Sequence, residues 1–476
     1  MSGHLPMETF DANARAALLD RTLNGALKRA TDRFAGQRRA AIDAMPEWEA
    51  MRERAREIKA EVLADLDRYL EDFSAKAEAA GARVHWARDG DEACRLIAGI
   101  ARDANGRRLV KSKSMTTEEI GLNRYMAEAA RNGEEPVETD LGEWIIQLAG
   151  EVPSHIIAPA IHKTKEQIAD LFVEKLVVEE GTGDIEALTA AARRVLRRHF
   201  AEADVGISGV NFAVAETGTV LVLENEGNAR MCTTLPSVHV AVMGIEKLLP
   251  RFADLEVFLR LLPRSGTGQH LTSYQSLITG PKRSPDGEGP DEVHVVLLDN
   301  GRSAMLRERV TRQSLACIRC GACLNACPVY QQIGGHAYGS VYPGPIGAVI
   351  TPQLAGLEKA AKLPFASSLC GACRDVCPVK IDIPELLLHL RSEIKSGKGL
   401  PHARDVSAGA RSERIAFRLW SWTMRSPLRY RAAAACARLL ARIGIGIPGA
   451  GAWRAGRELR PFARRSFRSR WESRGR

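Results

Sequence analysis

The stretch "CIRCGACLNACPVY", Cys317–Tyr330, decides how this 476-residue chain is read. Its cysteines follow the spacing C-x2-C-x2-C-x3-C-P, the run by which bacterial ferredoxins hold iron–sulfur clusters. Two-residue gaps let Cys317, Cys320 and Cys323 wrap one face of a compact cube. Cys327, three residues later, points away and serves the neighbouring cluster, while Pro328 turns the chain aside. Zinc ribbons also use C-x2-C pairs, but they need two separated pairs, which this run does not offer.

A second run, "SSLCGACRDVCPV" from Ser367 to Val379, has Cys370, Cys373 and Cys377 but lacks the cysteine that would open it. Cross-ligation then predicts Cys317, Cys320, Cys323 and Cys377 around one [4Fe-4S] cluster. Cys327, Cys370 and Cys373 are left for the second. Ser367 occupies the position of the missing thiolate. Three outcomes stay open there: a [3Fe-4S] cluster, a [4Fe-4S] cluster with Ser367 or another non-thiolate on its fourth iron, or an open iron. Oxygen is a harder ligand than sulfur and holds iron less firmly.

Seven of the ten cysteines lie between Cys317 and Cys377, which reads as metal binding in a reducing compartment. Cys94, Cys232 and Cys436 are read as ordinary buried thiols. The opening "MSGHLPMETFDANARAALLD" has no apolar signal core, and no run approaches the ~18 apolar residues of a membrane span. A soluble cytoplasmic protein is expected. The net charge of +9 is concentrated in residues 401–476, where 18 Arg against 4 acidic residues give a surplus of 14 and leave −5 for the rest. With Trp420, Trp422, Trp453 and Trp471, that tail suits partner docking first and peripheral contact with the inner membrane face second. No nucleic-acid module accompanies it.

Outward from the cysteines the texture changes. Helical spacing runs through "PEWEAMRERAREIKAEVLADLDRYLEDF", predicting a helical region over 1–80. Strand and helix patterns then alternate. "RVHWA", "RRLVKSKS", "HIIAPAI", "VHVAVMGIEKLLP" and "EVHVVLLDNG" read as strands, and "VNFAVAETGTVLVLENE" as a hairpin. "GDEACRLIAGIARDA" and "TKEQIADLFVEKL" read as helices. This predicts an α/β domain over 81–305, a two-cluster domain over 306–395 and a basic helical end over 396–476. No G-x-G-x-x-G follows a strand, so neither a flavin nor an NAD fingerprint is found.

Softer signals surround the α/β part. Lys111 and Lys113 sit at a strand end where such domains bind ligands, as carboxylate holders or as a solvated loop, the latter favoured. "AETGT" with Glu216 and Gly218 reads as a hairpin turn before it reads as a ligand loop. His336, between the cysteine runs, is open between a cluster contact and a structural role. "NEGNARM", Asn225–Met231, is expected to line the same cleft as the lysines.

The cysteine runs, with "GGHAYGSVYPGPIGAV" between them, resemble the lactate utilization protein B family. "LVKSKSMTTEEIGLN" and "GISGVNFAVAETGTVLVLENEGNARM" resemble its LUD domain, and the likeness extends from about residue 70 to the Arg-rich end. The absent cysteine at Ser367 belongs to that family's pattern. The resemblance implies a NagB/RpiA/CoA-transferase-like α/β fold followed by a mostly α-helical dicluster ferredoxin domain. It also implies a non-flavin electron-transfer subunit of a complex turning L-lactate into pyruvate. The partners would be a cysteine-rich subunit, a LUD-only subunit and an unknown acceptor. The alternatives are a cluster-bearing redox sensor that binds a small molecule, or a subunit of another 2-hydroxy-acid oxidase.

Overall fold

The computed structural model describes residues 5–129, 136–175, 177–396, 410–442, 463 and 465–474. The chain divides into two compact units, Met1–Leu400 and Pro401–Arg476.

Four helices open the first unit: α1 (Phe10–Leu19), α2 (Arg21–Asp43), α3 (Trp48–Ala64) and α4 (Leu66–Ala79). Asp20 caps α2 by accepting from the Leu23 amide at 2.9 Å. The strands are β1 (Arg83–Ala87), β2 (Leu109–Lys111), β3 (Val137–Glu138), β4 (Val205–Gly209), β5 (Phe212–Val214), β6 (Thr219–Glu224), β7 (Val238–Gly244), β8 (Leu248–Leu249), β9 (Tyr274–Ile278) and β10 (Glu292–Leu298). Six of them form a sheet in the order β1-β10-β7-β4-β2-β3, with every neighbouring pair parallel. A smaller mixed sheet runs β8-β5-β6-β9.

β7 is buried along its whole length and β10 at every position after Glu292, as central parallel strands covered on both faces must be. Their side chains divide by alternation. Val240, Val242, Val296 and Leu298 meet Ile97 and Ile100 of α5 (Gly90–Asp103) on one face. Ala241, Met243, Val295 and Leu297 join the other face, where Ile58, Val62 and Phe73 of α3 and α4 are buried. That second core continues without a break through Leu324 and Tyr330 of the first cysteine segment to Leu390. The N-terminal helices therefore cover one face of the sheet and pack in the same core as the cysteine segments.

"HIIAPAI" is not a strand. The His155 ring accepts from the Ile157 and Ala158 amides at 3.1 and 3.2 Å, and Pro159 has no amide to give. Donors that a ladder would use are taken locally, so the segment is a loop. β4 and β9 arise where no strand was read. The second unit, described by itself, holds helices Ala410–Met424, Pro427–Arg442 and Phe467–Arg474. Trp420, Trp422 and Trp471 are exposed, and the Arg429 guanidinium lies 4.3 Å from the Trp422 ring centre. Trp453 lies outside the described residues. Cys436 is exposed rather than buried, because nearly every described side chain of its helix lies in solvent. Cys94 and Cys232 are buried as expected. Among the described residues no helix is long and apolar enough to cross a membrane.

Candidate metal centre and the cleft beside it

The two cysteine loops share one backbone device. The residues before Cys320 and before Cys370, Arg319 and Leu369, have φ of 60° and 56°. The glycines after these cysteines, Gly321 and Gly371, have φ of 75° and 87°. A left-handed residue on each side of a cysteine curls the chain and turns amides inward toward sulfur. The Arg319 amide donates to Cys317 Sγ at 3.4 Å, Tyr330 to Cys327 Sγ at 3.5 Å and Ile381 to Cys377 Sγ at 3.4 Å.

The thiols fall into two groups. Burial raises the pKa of Cys320, and the charges of Cys377 and Cys317 raise it further. Burial also raises Cys323, reinforced by Cys317, Cys320 and Cys377. Cys373 is pushed up to about 12 by burial, then by Cys327 and Cys370. The last cysteine of each run thus neighbours the other run. Ile156, Ile318, Ile346 and Ile381 line one hollow together with Cys317, Cys320, Cys323 and Cys377 and make its wall largely apolar. Cys370 is exposed, and its thiol is held below the usual range by the Ala372 amide and the Ser368 hydroxyl. Ser367 Oγ accepts from the Leu369 amide at 3.1 Å, shaping the loop ahead of Cys370.

This donor set fits iron–sulfur clusters. Four sulfurs around one zinc ion, each ~2.3 Å from the metal, crowd to within about 4 Å of one another. Among the described residues the one group of three potential ligands converging within 4.8 Å is Glu151, His162 and His336, not a set of cysteines. His336 donates from Nε2 to the Val152 carbonyl at 2.7 Å, and its ring meets His162 edge-on.

Sequence reasoning missed how the loops are held. Arg52 of α3 donates from Nη2 to the Cys377 and Asp375 carbonyls at 2.8 and 3.0 Å, and from Nε to Cys377 at 3.1 Å. Arg38 of α2 donates to the Val376 carbonyl at 3.1 Å. Lys380 pairs with Glu49 and Glu53 at 2.7 Å each. Basic residues on predicted helices were the available signal, but nothing local names partners more than 300 residues away. On the other side, buried Arg302 grips Glu119 in a two-pronged pair and Glu246 at 2.5 Å, and Glu246 in turn meets Arg319 at 3.5 Å. A charged chain thus ties the sheet to the first cysteine loop.

Between sheet and loop lies a cleft of about 270 Å³ at the carboxyl ends of β2 and β4. Lys113, Asn225, Glu226 and Asn228 line it, as do Arg319 and Cys320 of the cysteine run. The expectation that "NEGNARM" shares a cleft with the lysine loop holds for Lys113. Lys111 departs from the favoured reading, because it is fully buried and not solvated. Its ammonium pairs with Glu138 at 2.7 Å and Glu118 at 3.1 Å, which compensates its lost hydration. Glu226 is pushed up to about 7 by burial and by the neighbouring Asp140 charge. "AETGT" is a hairpin turn: the Glu216 carboxylate accepts from the Phe252 amide, and Gly218 has φ 67° against the Ala77 backbone.

The parallel α/β domain and the paired thiol groups define a dicluster iron–sulfur protein. Family models agree segment by segment: the LUD domain matches residues 70–298, the 4Fe-4S dicluster domain 313–381, and the lactate utilisation protein B C-terminal region 389–476. The chain is 44% identical to lactate utilization protein B of Bacillus subtilis over 84% of this chain and 82% of that protein. It is 46% identical to that of Macrococcus caseolyticus over 83% and 82%. It is 43% identical to the uncharacterized electron transport protein YkgF of Escherichia coli over 88% and 85%. A crystal structure of a DUF162 family protein from Deinococcus radiodurans aligns with 49% of this chain and 98% of that one at 15% identity, with a TM-score of 0.25, too low to bear on the fold. The chain belongs to the lactate utilization protein B family.

Proposed function

We propose that the chain is the electron-transfer iron–sulfur subunit of a multi-protein system that oxidises L-lactate to pyruvate. The observation that carries this is the crossed grouping of the seven thiols, together with relatives named for lactate utilization. Cys317, Cys320, Cys323 and Cys377 hold a [4Fe-4S] cluster. Cys327, Cys370 and Cys373 hold a second, [4Fe-4S] or [3Fe-4S], with Ser367 at the position a fourth thiolate would take. When bound, the clusters supply one-electron transfer, so the two electrons of lactate oxidation pass singly. The chain's own residues set the conditions. Inward-facing amides stabilise negative charge on sulfur, and isoleucines exclude water from the first site.

The hydride chemistry belongs to a partner, since this chain carries no flavin or dinucleotide fingerprint. A cysteine-rich subunit and a LUD-only subunit are the partners, and the Arg- and Trp-bearing tail is the docking surface. The α/β domain is of the NagB/RpiA/CoA-transferase-like class. The exposed thiol of Cys370 favours one second reading, a redox sensor whose second site loses iron readily.

Low-temperature EPR of the anaerobically purified chain with its co-purifying partners, before and after L-lactate, separates the two. Appearance of a reduced four-iron signal on lactate addition is expected. Clusters that respond to dithionite and never to lactate would remove lactate as the donor and favour the sensor reading. A three-iron signal before any addition would assign the second site.

A further inference from the structure

We propose that the cleft between the sheet and the first cysteine loop is a binding site for a short hydroxy- or oxo-carboxylate, recognised by Lys113, Ser112 and Asn228. The anionic class stands on the cleft alone. The choice of a hydroxy or oxo acid rests on the lactate-utilization reading.

The first observation is a concentration of unpaired polar atoms. Fifteen buried side-chain atoms among the described residues have no hydrogen-bond partner within the protein. Six of the residues that carry them, Ser112, Lys113, Glu224, Asn228, Thr272 and Arg319, line this one cleft. Native interiors leave few such groups, and their gathering marks a place where something else satisfies them. Ser112 and Asn228 are 2% and 5% exposed, so bulk water does not serve their side chains freely. Asn228 keeps its amide nitrogen on Thr139 Oγ1 at 3.3 Å and is left with an acceptor oxygen. That oxygen suits a ligand hydroxyl.

The second observation is charge. Lys113 has its nearest carboxylate, Glu143, at 3.9 Å, too far for a hydrogen bond. Its ammonium is therefore desolvated and only loosely neutralised, in contrast to Lys111 two residues earlier, which is fully paired. A carboxylate ligand supplies the missing partner. Lys247 and Arg319 add two further cations to the lining. Asp140, Glu224 and Glu226 line the same cleft. A volume of about 270 Å³ at strand carboxyl ends admits a small acid with its waters.

The third observation is position. Cys320, assigned above to the first cluster, forms part of the cleft wall. An acid held there lies beside the redox centre with no intervening element.

The test is calorimetric titration of the full chain, purified anaerobically with its clusters, with L-lactate, pyruvate and lactamide, a neutral analogue of lactate. Saturable one-site binding of at least one acid is expected, with lactamide at least tenfold weaker. Lys113→Met should weaken acid binding at least tenfold with cluster absorbance unchanged, and Lys113→Arg should recover part of it. Should Lys113→Met fail to fold, Ser112→Ala, a far smaller change, is expected to weaken binding about threefold. No saturable binding of either acid, equal binding of lactamide, or an affinity that neither Lys113→Met nor Ser112→Ala moves would overturn the inference. Lactate-driven cluster reduction in the complex without acid binding to this chain would also overturn it, leaving the relay reading intact. Acid binding here without lactate-driven reduction would do the reverse.

Discussion

At the scale of single residues, the dicluster domain was legible because cluster chemistry dictates the spacing of its cysteines. C-x2-C-x2-C-x3-C-P carries its meaning wherever it stands. The residues that hold the loops were not legible in the same way. Arg52 reads as one of several arginines on an amphipathic helix until its partners, the carbonyls of Asp375 and Cys377, are known. Lys111 misled for the same reason, since Glu138 lies 27 residues away along the chain. Arg52 spans two carbonyls of the turn that carries Cys377. Charge-assisted hydrogen bonds contribute ~1.5–3 kcal/mol each and are not additive within one side chain. Arg52→Met is expected to cost about 2–4 kcal/mol and to lower iron and sulfide content per chain, read by urea midpoint and by metal analysis. Full loading in that variant would mean the turn holds its shape unaided.

Elements show where local pattern and tertiary demand part company. β7 and β10 announced themselves through runs of valine, since strands buried on both faces need no alternation. β4, "VGISG", did not, because two glycines lower its apparent strand preference. The structure explains them. A Cβ on Gly206 would stand 1.8 Å from the Cys232 carbonyl oxygen, and one on Gly209 would stand 2.6 Å from Ser114 Oγ. The strand accepts a poor former so that neighbouring backbone can approach. "HIIAPAI" is the converse, a good strand composition diverted by the His155 ring and Pro159. Gly206→Ala should therefore cost more than about 3 kcal/mol, because backbone rather than a side-chain end must move. Gly99→Ala, on α5 with only Arg102 Nη2 near at 3.9 Å, should stabilise by about 0.5–1 kcal/mol. Urea unfolding of both variants checks the pair, and equal midpoints would contradict the packing account.

Over the whole molecule, acid sensitivity depends on buried histidines. His239, between β4 and β10 and bonded to Ser208 Oγ at 2.8 Å, is pushed down to about 4 by burial and by His294 nearby. Folded, it stays neutral where the unfolded chain, with an ordinary histidine pKa near 6.5, takes up a proton. Its contribution is thus complete above pH 6.5 and is lost as pH falls toward 4. Glu138 and Glu226, both pushed up to about 7, work in the opposite sense over an overlapping range, so the parent's own pH profile does not isolate the histidine. The expectation concerns a difference: the stability gap between parent and His239→Gln should shrink by on the order of 2 kcal/mol from pH 7 to pH 5. A pH-independent gap, measured by urea midpoint, would refute it.

The continuous core from Phe10 to Leu390 also has a consequence in time. Synthesis delivers α1 to α4 first, with their apolar stripes bare, and the residues they pack against arrive after the sheet is made. Arg52 waits for Cys377, and Leu27 waits for the segment around Tyr330. A core closed by such distant pairings forms slowly and leaves surface exposed on the way. If Cys377 completes a cluster as proposed above, metal loading coincides with the closing of the fold, because Cys377 is among the last residues the ribosome supplies to that core. A cell short of iron would be left with unfinished chains at risk of aggregation and proteolysis rather than with a stable store of empty protein.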